Sequence, residues 1–491
     1  MDKLTLSKST FIRGMQCEKS LYMHKYRKEL RDPMPAALEA IFKQGTSVGE
    51  LAQGLFPGGV DCTPESYYDF FSAVERTKAE IAKGTKIIYE AAFHHDGVVA
   101  ALDILVQHED GWRAYEVKSS TSVSPTYELD ATIQYYTIVN SGIDLKDIAI
   151  VHINREYVKN GDIDIQQLFT MASVLEPVML LLPSIPEHVE RMRTILSADA
   201  VPEKEIGPHC SSPYACDFAG HCWKHVPNYS VFNIARLNGA KKFDLYNSNI
   251  LLLSDIPEDY PLNYSQRMQV NSEVKKETHI NAAAIRQFVK ELNYPIYHLD
   301  YETFATAVPI FDGSRPYKHL VFQYSLHIEH QNGTIEHREF LADHKGEDPR
   351  IQFVKQLVQD CGTSGDILVY NIAFERSKTI ELLNFAPEHT AALQNIIGRF
   401  KDLMTPFQKR WYYTPAMRGS YSIKAVLPAL VPELSYADLN IQEGGTASNT
   451  FAALIQDLYN GDINQVRQDL LDYCKMDTWA MVRILERLKE I

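Results

Sequence analysis

Six side chains in the C-terminal half carry the most chemistry. Asp300 and Glu302 lie in His298-Leu-Asp-Tyr-Glu-Thr-Phe304, Asn371 and Glu375 in Tyr370-Asn-Ile-Ala-Phe-Glu375, and Tyr473 and Asp477 in Tyr473-Cys-Lys-Met-Asp477. Four carboxylates from three separated segments form a donor set for divalent cations. Mg²⁺ takes hard oxygen ligands and only a few carboxylates. A pair of such ions roughly 3.5–4 Å apart clamps the attacking and leaving oxygens of an in-line displacement at phosphorus. Alternation along a strand puts Asp300 and Glu302 on one face, and one helical turn puts Tyr473 and Asp477 on another common face. The chemistry expected of this set is metal-assisted hydrolysis of a phosphodiester.

These residues need elements to hold them. The pattern predicts a strand over 297–304 ending in the acids. Strands 319–330 and 334–341 flank Asn332-Gly333, a hairpin signal. Helix 348–361 has Asp348 as N-cap and Pro349 at its first position. A short buried strand follows over 366–371, then helix 372–385. The last helix, 465–488, has apolar residues at a period of about 3.6. This order, with the motifs D-x-E, N-x-x-F-acid and Y-x-x-x-D, resembles DnaQ-like 3′–5′ exonucleases of the DEDDy type, which have a ribonuclease-H-like fold. The resemblance implies that Asp300, Glu302, Glu375 and Asp477 hold Mg²⁺ or Mn²⁺ and that Tyr473 orients the attacking water. Asn371 either holds the strand-to-helix turn or contacts substrate. Glu375 stands where that family has Asp, and its extra methylene moves the carboxylate outward by roughly 1.5 Å. Asp366 and Asp402 are the fallback acids. Residues 419–427 resemble the segment after the second motif, with Lys424 either on phosphate or solvated.

The first half reads as a meander. Strands 86–94, 98–108 and 112–119 are joined by Asp96-Gly97 and Asp110-Gly111, turns that suit antiparallel pairing. Helix 127–139 follows. Glu116 and Lys118 share a strand face, and Asp103 on the neighbouring strand can meet them. Two carboxylates can hold a divalent ion while a lysine orients or deprotonates water and stabilises developing charge. The competing reading is a surface hairpin with an ordinary Glu-x-Lys pair. With Gln134 and Tyr136 on the next helix, the set resembles the PD-(D/E)XK nuclease superfamily over about residues 7–223, RecB-like and CRISPR-associated adaptation nucleases in particular. The resemblance implies Asp103 as a metal-binding acid, Glu116 and Lys118 as the E-x-K pair, and Gln134 as the helix residue of the Q-x-x-x-Y motif; Tyr136 is not at the usual offset. That family places a metal-ligating His after an upstream Gly. Here the stretch is Gly45-Thr-Ser-Val-Gly-Glu50, with Glu50 as the substitute ligand.

Of seven cysteines, Cys62, Cys361 and Cys474 are scattered and read as structural. Cys17 and the late set Cys210, Cys216 and Cys222 are similar to the cysteines of RecB-like nucleases that hold a 4Fe–4S cluster through thiolates. The late spacing here is C-x5-C-x5-C rather than C-x2-C-x5-C. Zn²⁺ is the alternative for four cysteines, with His209 or His221 able to replace a thiolate. Arg13, Lys19, Lys25, Arg27, Lys28 and Arg31, with Tyr22 and Tyr26 among them, read either as a track for a phosphate backbone or as the solvated face of a helix.

At 491 residues the chain exceeds one ordinary core. The expected division is a domain over 1–226, a connector over 227–284 and a second domain over 285–491, both α/β. The net charge of −14 argues against a basic, sequence-independent DNA coat and leaves room for a local basic channel. No apolar run is long enough to span a bilayer, and the start has no apolar leader, so a cytoplasmic setting is expected. No G-x-x-x-x-G-K-(S/T) loop supports an ATP-driven machine. Taken together, the chain resembles a bacterial family that fuses a RecB-like, cluster-bearing nuclease to a DEDD-type exonuclease domain. The resemblance implies a metal-dependent nuclease acting on DNA rather than RNA, suited to repair or defence. Two alternatives stand beside it: one active site with the other domain only binding nucleic acid, and a non-catalytic nucleic-acid-binding scaffold.

Overall fold

Asp96 and Gly97 both take positive φ, 43° and 66°, the backbone that reverses a strand tightly without splaying its partner. The turn leads into the longest strand of the first sheet. In the computed structural model, which describes residues 2–34, 45–64 and 69–491, that sheet contains β1 (Leu6–Ser7), β2 (Val60–Asp61), β3 (Ile87–His95), β4 (Val98–His108), β5 (Gly111–Lys118), β6 (Leu145–Ile153) and β7 (Phe169–Ser173). Among the described residues the order is β2-β3-β4-β5-β6-β7, with β1 pairing β4. Strands β3, β4 and β5 are antiparallel neighbours, whereas β5 and β6 are parallel. The parallel pair requires a crossover, supplied by the Pro125–Asn140 helix. Ser124 caps it by accepting from Tyr127 N–H, and proline opens its first turn. Ala131 and Ile138 of this helix pack into one core with Ile88, Leu102, Leu105 and Ile148. The short β1 runs parallel to β4, with Leu6 opposite Val98, and leads into the Lys8–Gln16 helix through a Ser7/Thr10 capping box.

The second sheet positions the acids named above. Its strands are β9 (Ile296–Phe304), β10 (Leu320–Glu329), β11 (Ile335–Leu341), β12 (Ile367–Val369) and β13 (Phe400–Asp402), in the order β11-β10-β9-β12-β13 among the described residues. A separate ribbon pairs β8 (His279–Ile280) with β14 (Tyr412–Tyr413). Strands β9, β10 and β11 are antiparallel, and β12 runs parallel to both β9 and β13. The pleat gives this sheet two unlike faces. Tyr297, Leu299, Tyr301, Tyr324, Leu326 and Ile328 turn one way and pack on Phe353, Val354 and Leu357 of the Pro349–Asp360 helix. His298, Asp300, Glu302, Gln323, Ser325 and His327 turn the other way, under the Ile463–Lys489 helix. That helix satisfies part of the polar face, while Gln323 Oε1 and His298 Nδ1 have no partner among the described residues. Gln323 Nε2 donates to Leu470 O at 2.7 Å, and Thr478 Oγ1 bonds Ser325 Oγ at 2.7 Å and His327 Nδ1 at 2.8 Å. Most buried polar groups are paired in this way.

The chain divides into two compact α/β units. One is Met1–His225 with Thr306–Lys318; the other is Val226–Ala305 with His319–Ile491. The expected boundaries therefore change. Segment 227–284 is part of the second unit rather than a connector: it carries helices Gly239–Asn247 and Tyr264–Lys275 around a core of Val231, Ile234, Leu245, Leu253 and Val270. Residues 306–318, expected in the second domain, belong to the first unit, where Lys159 pairs with Asp312 at 2.7 Å and Ala307 joins a hydrophobic core. Smaller changes follow from caps. Asp462 accepts from Asn464 and Gln465 N–H and starts the last helix earlier than expected. The strand expected over 366–371 is shorter because Asn371 takes a left-handed φ of 81°. Among the described residues no helix is long and apolar enough to cross a membrane.

Candidate functional site

Strand β9 and the Ile463–Lys489 helix bring three acids together. Ligand oxygens of Asp300, Glu302 and Asp477 all lie within 4.8 Å of one another. Among the described residues no other group of three or more His, Cys, Asp or Glu comes so close. The acids line a cavity of about 510 Å³ that also takes in Asn371, Glu375, Lys424, Gly444 and Tyr473. Glu375, in the first turn of the Ile372–Phe385 helix, is 2% exposed, and its Oε2 has no partner among the described residues. It therefore keeps its place in the cavity wall with the longer arm, though outside the close triad. The fallback acids are engaged elsewhere. Asp402 accepts from the backbone N–H of Asn371, Ile372 and Met404, and Asp366 accepts from Asn293. Asn371 holds the strand-to-helix turn and also faces the cavity.

The electrostatics are those of an acid cluster short of positive charge. Burial, then the charges of Asp477, Glu302 and Glu375, push Asp300 well above the usual carboxylate range. Glu302 rises for the same reasons, with Lys424 opposing. Burial raises Asp477 to about 6, held there by a hydrogen bond from Tyr436 and by Lys424, and raises Glu375 to about 8. Such mutual elevation marks carboxylates that share a site, and a divalent cation would reverse it. The three close oxygens are hard donors and fit Mg²⁺ or Mn²⁺. Tyr473 is buried, and burial together with Asp477 and Glu302 keeps its hydroxyl protonated. The sequence reading missed Tyr436. Its hydroxyl donates to Asp477 Oδ1 at 2.7 Å, from a stretch, Leu434-Ser-Tyr-Ala-Asp438, with no motif to flag it. Lys424 is exposed, donates to Gln442 O, and has its ammonium 5.6 and 5.5 Å from the ring centroids of Tyr436 and Tyr473.

The first unit assembles a different object. Glu116 is 1% exposed, and its Oε1 accepts from Lys118 at 2.7 Å and from Lys8 at 2.6 Å. Lys118 also donates to Asp130 Oδ2 at 2.6 Å. Asp103 Oδ2 accepts from Val117 N–H at 2.5 Å. Burial alone would raise Glu116, but Lys118 and Lys8 pull it down to about 2. Asp103 moves the other way, up to about 8, through burial and the charge of Glu116. Glu90 stands across from Asp103, between the pairs Tyr89–Ile104 and Ala91–Leu102, with φ of 50°; burial raises it to about 7. Lys8, Glu90 and Asp130 were not singled out from sequence. Gln134 is fully buried, and both its amide atoms lack a partner among the described residues. Tyr136 packs edge-on against His95. Glu50 is exposed, and Glu50, Asp103 and Glu116 do not converge to the spacing of the second unit's triad.

Cys17, Cys210, Cys216 and Cys222 line one small cavity together with His209 and Lys204. Cys17 is the joint between the Lys8–Gln16 and Glu18–Tyr26 helices. Burial raises the thiols of Cys17 and Cys222, and neighbouring thiols add to the effect. Four converging thiols fit a thiolate-bound centre. No three of these sulfurs lie within 4.8 Å of one another, whereas a tetrahedral zinc site with bonds near 2.3 Å has sulfur–sulfur edges of about 3.8 Å. Cys62, Cys361 and Cys474 are buried. Much of the N-terminal basic stretch is used internally: Arg13 and Arg31 pair with Asp217, Lys25 donates to Thr5 O, and Lys19 donates to Lys204 O.

Comparison with known sequences finds relatives without an assigned activity. Over 302 residues the chain is 27% identical to an uncharacterised protein of Ureaplasma parvum, covering 55% of this chain and 42% of that protein. It is 27% identical over 206 residues to an uncharacterised protein of Mycoplasma pneumoniae (38% of this chain, 31% of the relative), and 23% identical over 213 residues to one of Mycoplasma genitalium (40% and 32%). The match thus spans less than half the length of each relative. Residues 297–422, the stretch that carries Asp300, Glu302 and Glu375, match a family described as a domain of unknown function, DUF2779.

Proposed function

We propose that the second unit is a metal-dependent phosphodiesterase that removes nucleotides from the 3′ end of DNA. The observation that carries this reading is the approach of Asp300, Glu302 and Asp477 within 4.8 Å at the wall of a cavity about 510 Å³ in size. The strand order, three antiparallel strands followed by two parallel ones, supports a ribonuclease-H-like assignment. Mg²⁺ or Mn²⁺ at the three carboxylates would supply Lewis acidity toward a phosphoryl oxygen. The chain's own groups do the rest. Asp300, Glu302 and Asp477 hold the charge in place, and Tyr436 fixes the Asp477 carboxylate. Tyr473 keeps its proton and hydrogen-bonds the attacking water in line with phosphorus. Lys424, exposed at the cavity, meets the anionic backbone. Glu375 completes the acidic wall.

In the same proposal the first unit is a RecB-like, PD-(D/E)XK-type domain that grips DNA, with Cys17, Cys210, Cys216 and Cys222 holding a 4Fe–4S cluster that ties its N-terminal helices to the 210–222 segment. The wide sulfur spacing favours the cluster over zinc. The pairing of Lys8 and Lys118 on Glu116 favours the reading with one cutting site over the reading with two.

The test is cleavage of end-labelled single- and double-stranded DNA and RNA, with Mg²⁺ or Mn²⁺, by anaerobically purified wild type, Asp300→Ala and Lys118→Ala. Metal-dependent shortening from the 3′ end, abolished by Asp300→Ala, is the expected result. Binding of nucleic acid with no cleavage of any substrate would replace the nuclease with a scaffold.

A further inference from the structure

The carboxylates of the first unit are arranged unlike those of the second. In the second, three acids face one another, and among the described residues no ammonium is bonded to them. In the first, Glu116 Oε1 accepts from two ammonium groups, while its buried Oε2 has no partner among the described residues. Lys8 Nζ and Lys118 Nζ lie 2.6 and 2.7 Å from the same oxygen, so together they bring the two positive charges that a divalent ion would bring. Glu116's side chain is 2% exposed and Lys8's 29%. Lys8 does not reach this place through a mobile tail. Strand β1 pairs with β4 immediately before it, and the Ser7/Thr10 capping box fixes the first turn of its helix. A second carboxylate is also engaged, because Asp103 accepts from the Val117 backbone. These residues do not fit a divalent-metal site while Lys8 is seated.

We propose that Lys8 is a built-in counter-cation for Glu116, and that it excludes divalent metal from the first unit. The unit then handles nucleic acid without a divalent ion at these carboxylates. Loss of Lys8 would leave Glu116 beside Asp103 and Glu90 with one ammonium fewer, a set able to take a hard cation. The proposal concerns the first unit alone and does not depend on the activity assigned to the second.

Mn²⁺ binding to the full chain, read by electron paramagnetic resonance and equilibrium dialysis, tests it. In the Asp300→Ala/Asp477→Ala background, which disables the second unit's triad, no specifically bound Mn²⁺ is expected. Adding Lys8→Ala should create one bound equivalent, and that equivalent should disappear again with Asp103→Asn. Lys8→Arg, which keeps a cation at the position, should bind none. Circular dichroism checks that each variant is folded. Mn²⁺ bound in the Asp300→Ala/Asp477→Ala background and lost on Asp103→Asn would overturn the proposal. So would a folded Lys8→Ala variant that gains no ion. Failure of the second unit to bind metal would show as an absence of Mn²⁺ in wild type, a separate observation.

Discussion

Replacing Asp300 by Asn should stabilise the metal-free second unit and at the same time remove its response to metal. Three carboxylates within 4.8 Å make three like-charged pairs, and Asp300 takes part in two of them. At an effective dielectric of about 20, two unit charges that far apart repel by roughly 3.5 kcal/mol. Protonation at neutral pH absorbs part of this, since burial and the neighbouring acids already hold Asp300 and Glu302 well above their ordinary range. The neutral isostere should therefore gain about 1–2 kcal/mol in EDTA. In a unit of this size that is a rise in Tm of about 2–8 °C. For wild type, Mn²⁺ at a hundred times its Kd should add about 2.7 kcal/mol, or about 5–11 °C. Thermal melts followed by circular dichroism, with EDTA and with Mn²⁺, give both numbers without any assay of cleavage. A metal-free Asp300→Asn protein that melts below wild type would refute the idea of a cluster held together against its own repulsion. An undiminished Mn²⁺ shift in that variant would refute the assignment of Asp300 as a ligand.

The pH dependence of that Mn²⁺ shift follows from the same charges. Asp477 and Glu375 have folded-state pKa values raised to about 6 and about 8. The stability they contribute is present below their unfolded values, about 4, and is lost as pH rises through the folded ones. Metal binding requires the ionised forms, so the Tm increment from Mn²⁺ should be larger at pH 8 than at pH 6; a flat or inverse trend would contradict the shared-charge picture. Tyr436→Phe removes the hydrogen bond to Asp477 Oδ1 and should weaken Mn²⁺ binding by about 10–100-fold, as loss of an outer partner typically does. Calorimetric titration showing unchanged affinity would remove Tyr436 from the site. Cys17→Ser should lower the iron and sulfide content of anaerobically purified protein and lower the melting temperature of the first unit. Full iron content in that variant would break the four-cysteine assignment.

The elements around both sites were legible where local rules act alone. Asp96-Gly97 and Asn332-Gly333 signal reversal because their backbone conformations need residues that tolerate positive φ, and Gly97 and Gly333 take 66° and 84°. Asp348 before Pro349 signals a helix start, and Asp348 does accept from Arg350 N–H. Alternation alone put Asp300 and Glu302 on one face. The 227–284 region was opaque for an identifiable reason. The Tyr264–Lys275 helix buries Gln266, Gln269 and Ser272 along with Val270, and Gln266 and Gln269 hydrogen-bond the backbone of Ala235. A helix whose inward face is amide-rich has no apolar period to read. Residues 306–318 were misassigned because nothing local marks a connection between paired strands β9 and β10 as belonging to another unit.

The two carboxylate sites show which part of a metal motif the sequence leaves unstated. Each begins from acids on alternate positions of one strand or on neighbouring strands, and pattern recognition weighs them alike. What separates them is the cation seated beside the acids. For Glu302 and Asp477 the cation that acts on them is Lys424, an exposed side chain whose ammonium donates to a backbone carbonyl. For Glu116 two lysines share one oxygen, and one of them arrives from 108 positions away through the pairing of a two-residue strand. A carboxylate's affinity for a divalent ion depends on the positive charge already seated beside it. That charge is a property of the tertiary fold. The acids of a metal site can therefore be read from spacing, while the lysine able to close the site becomes visible only after the strands are paired.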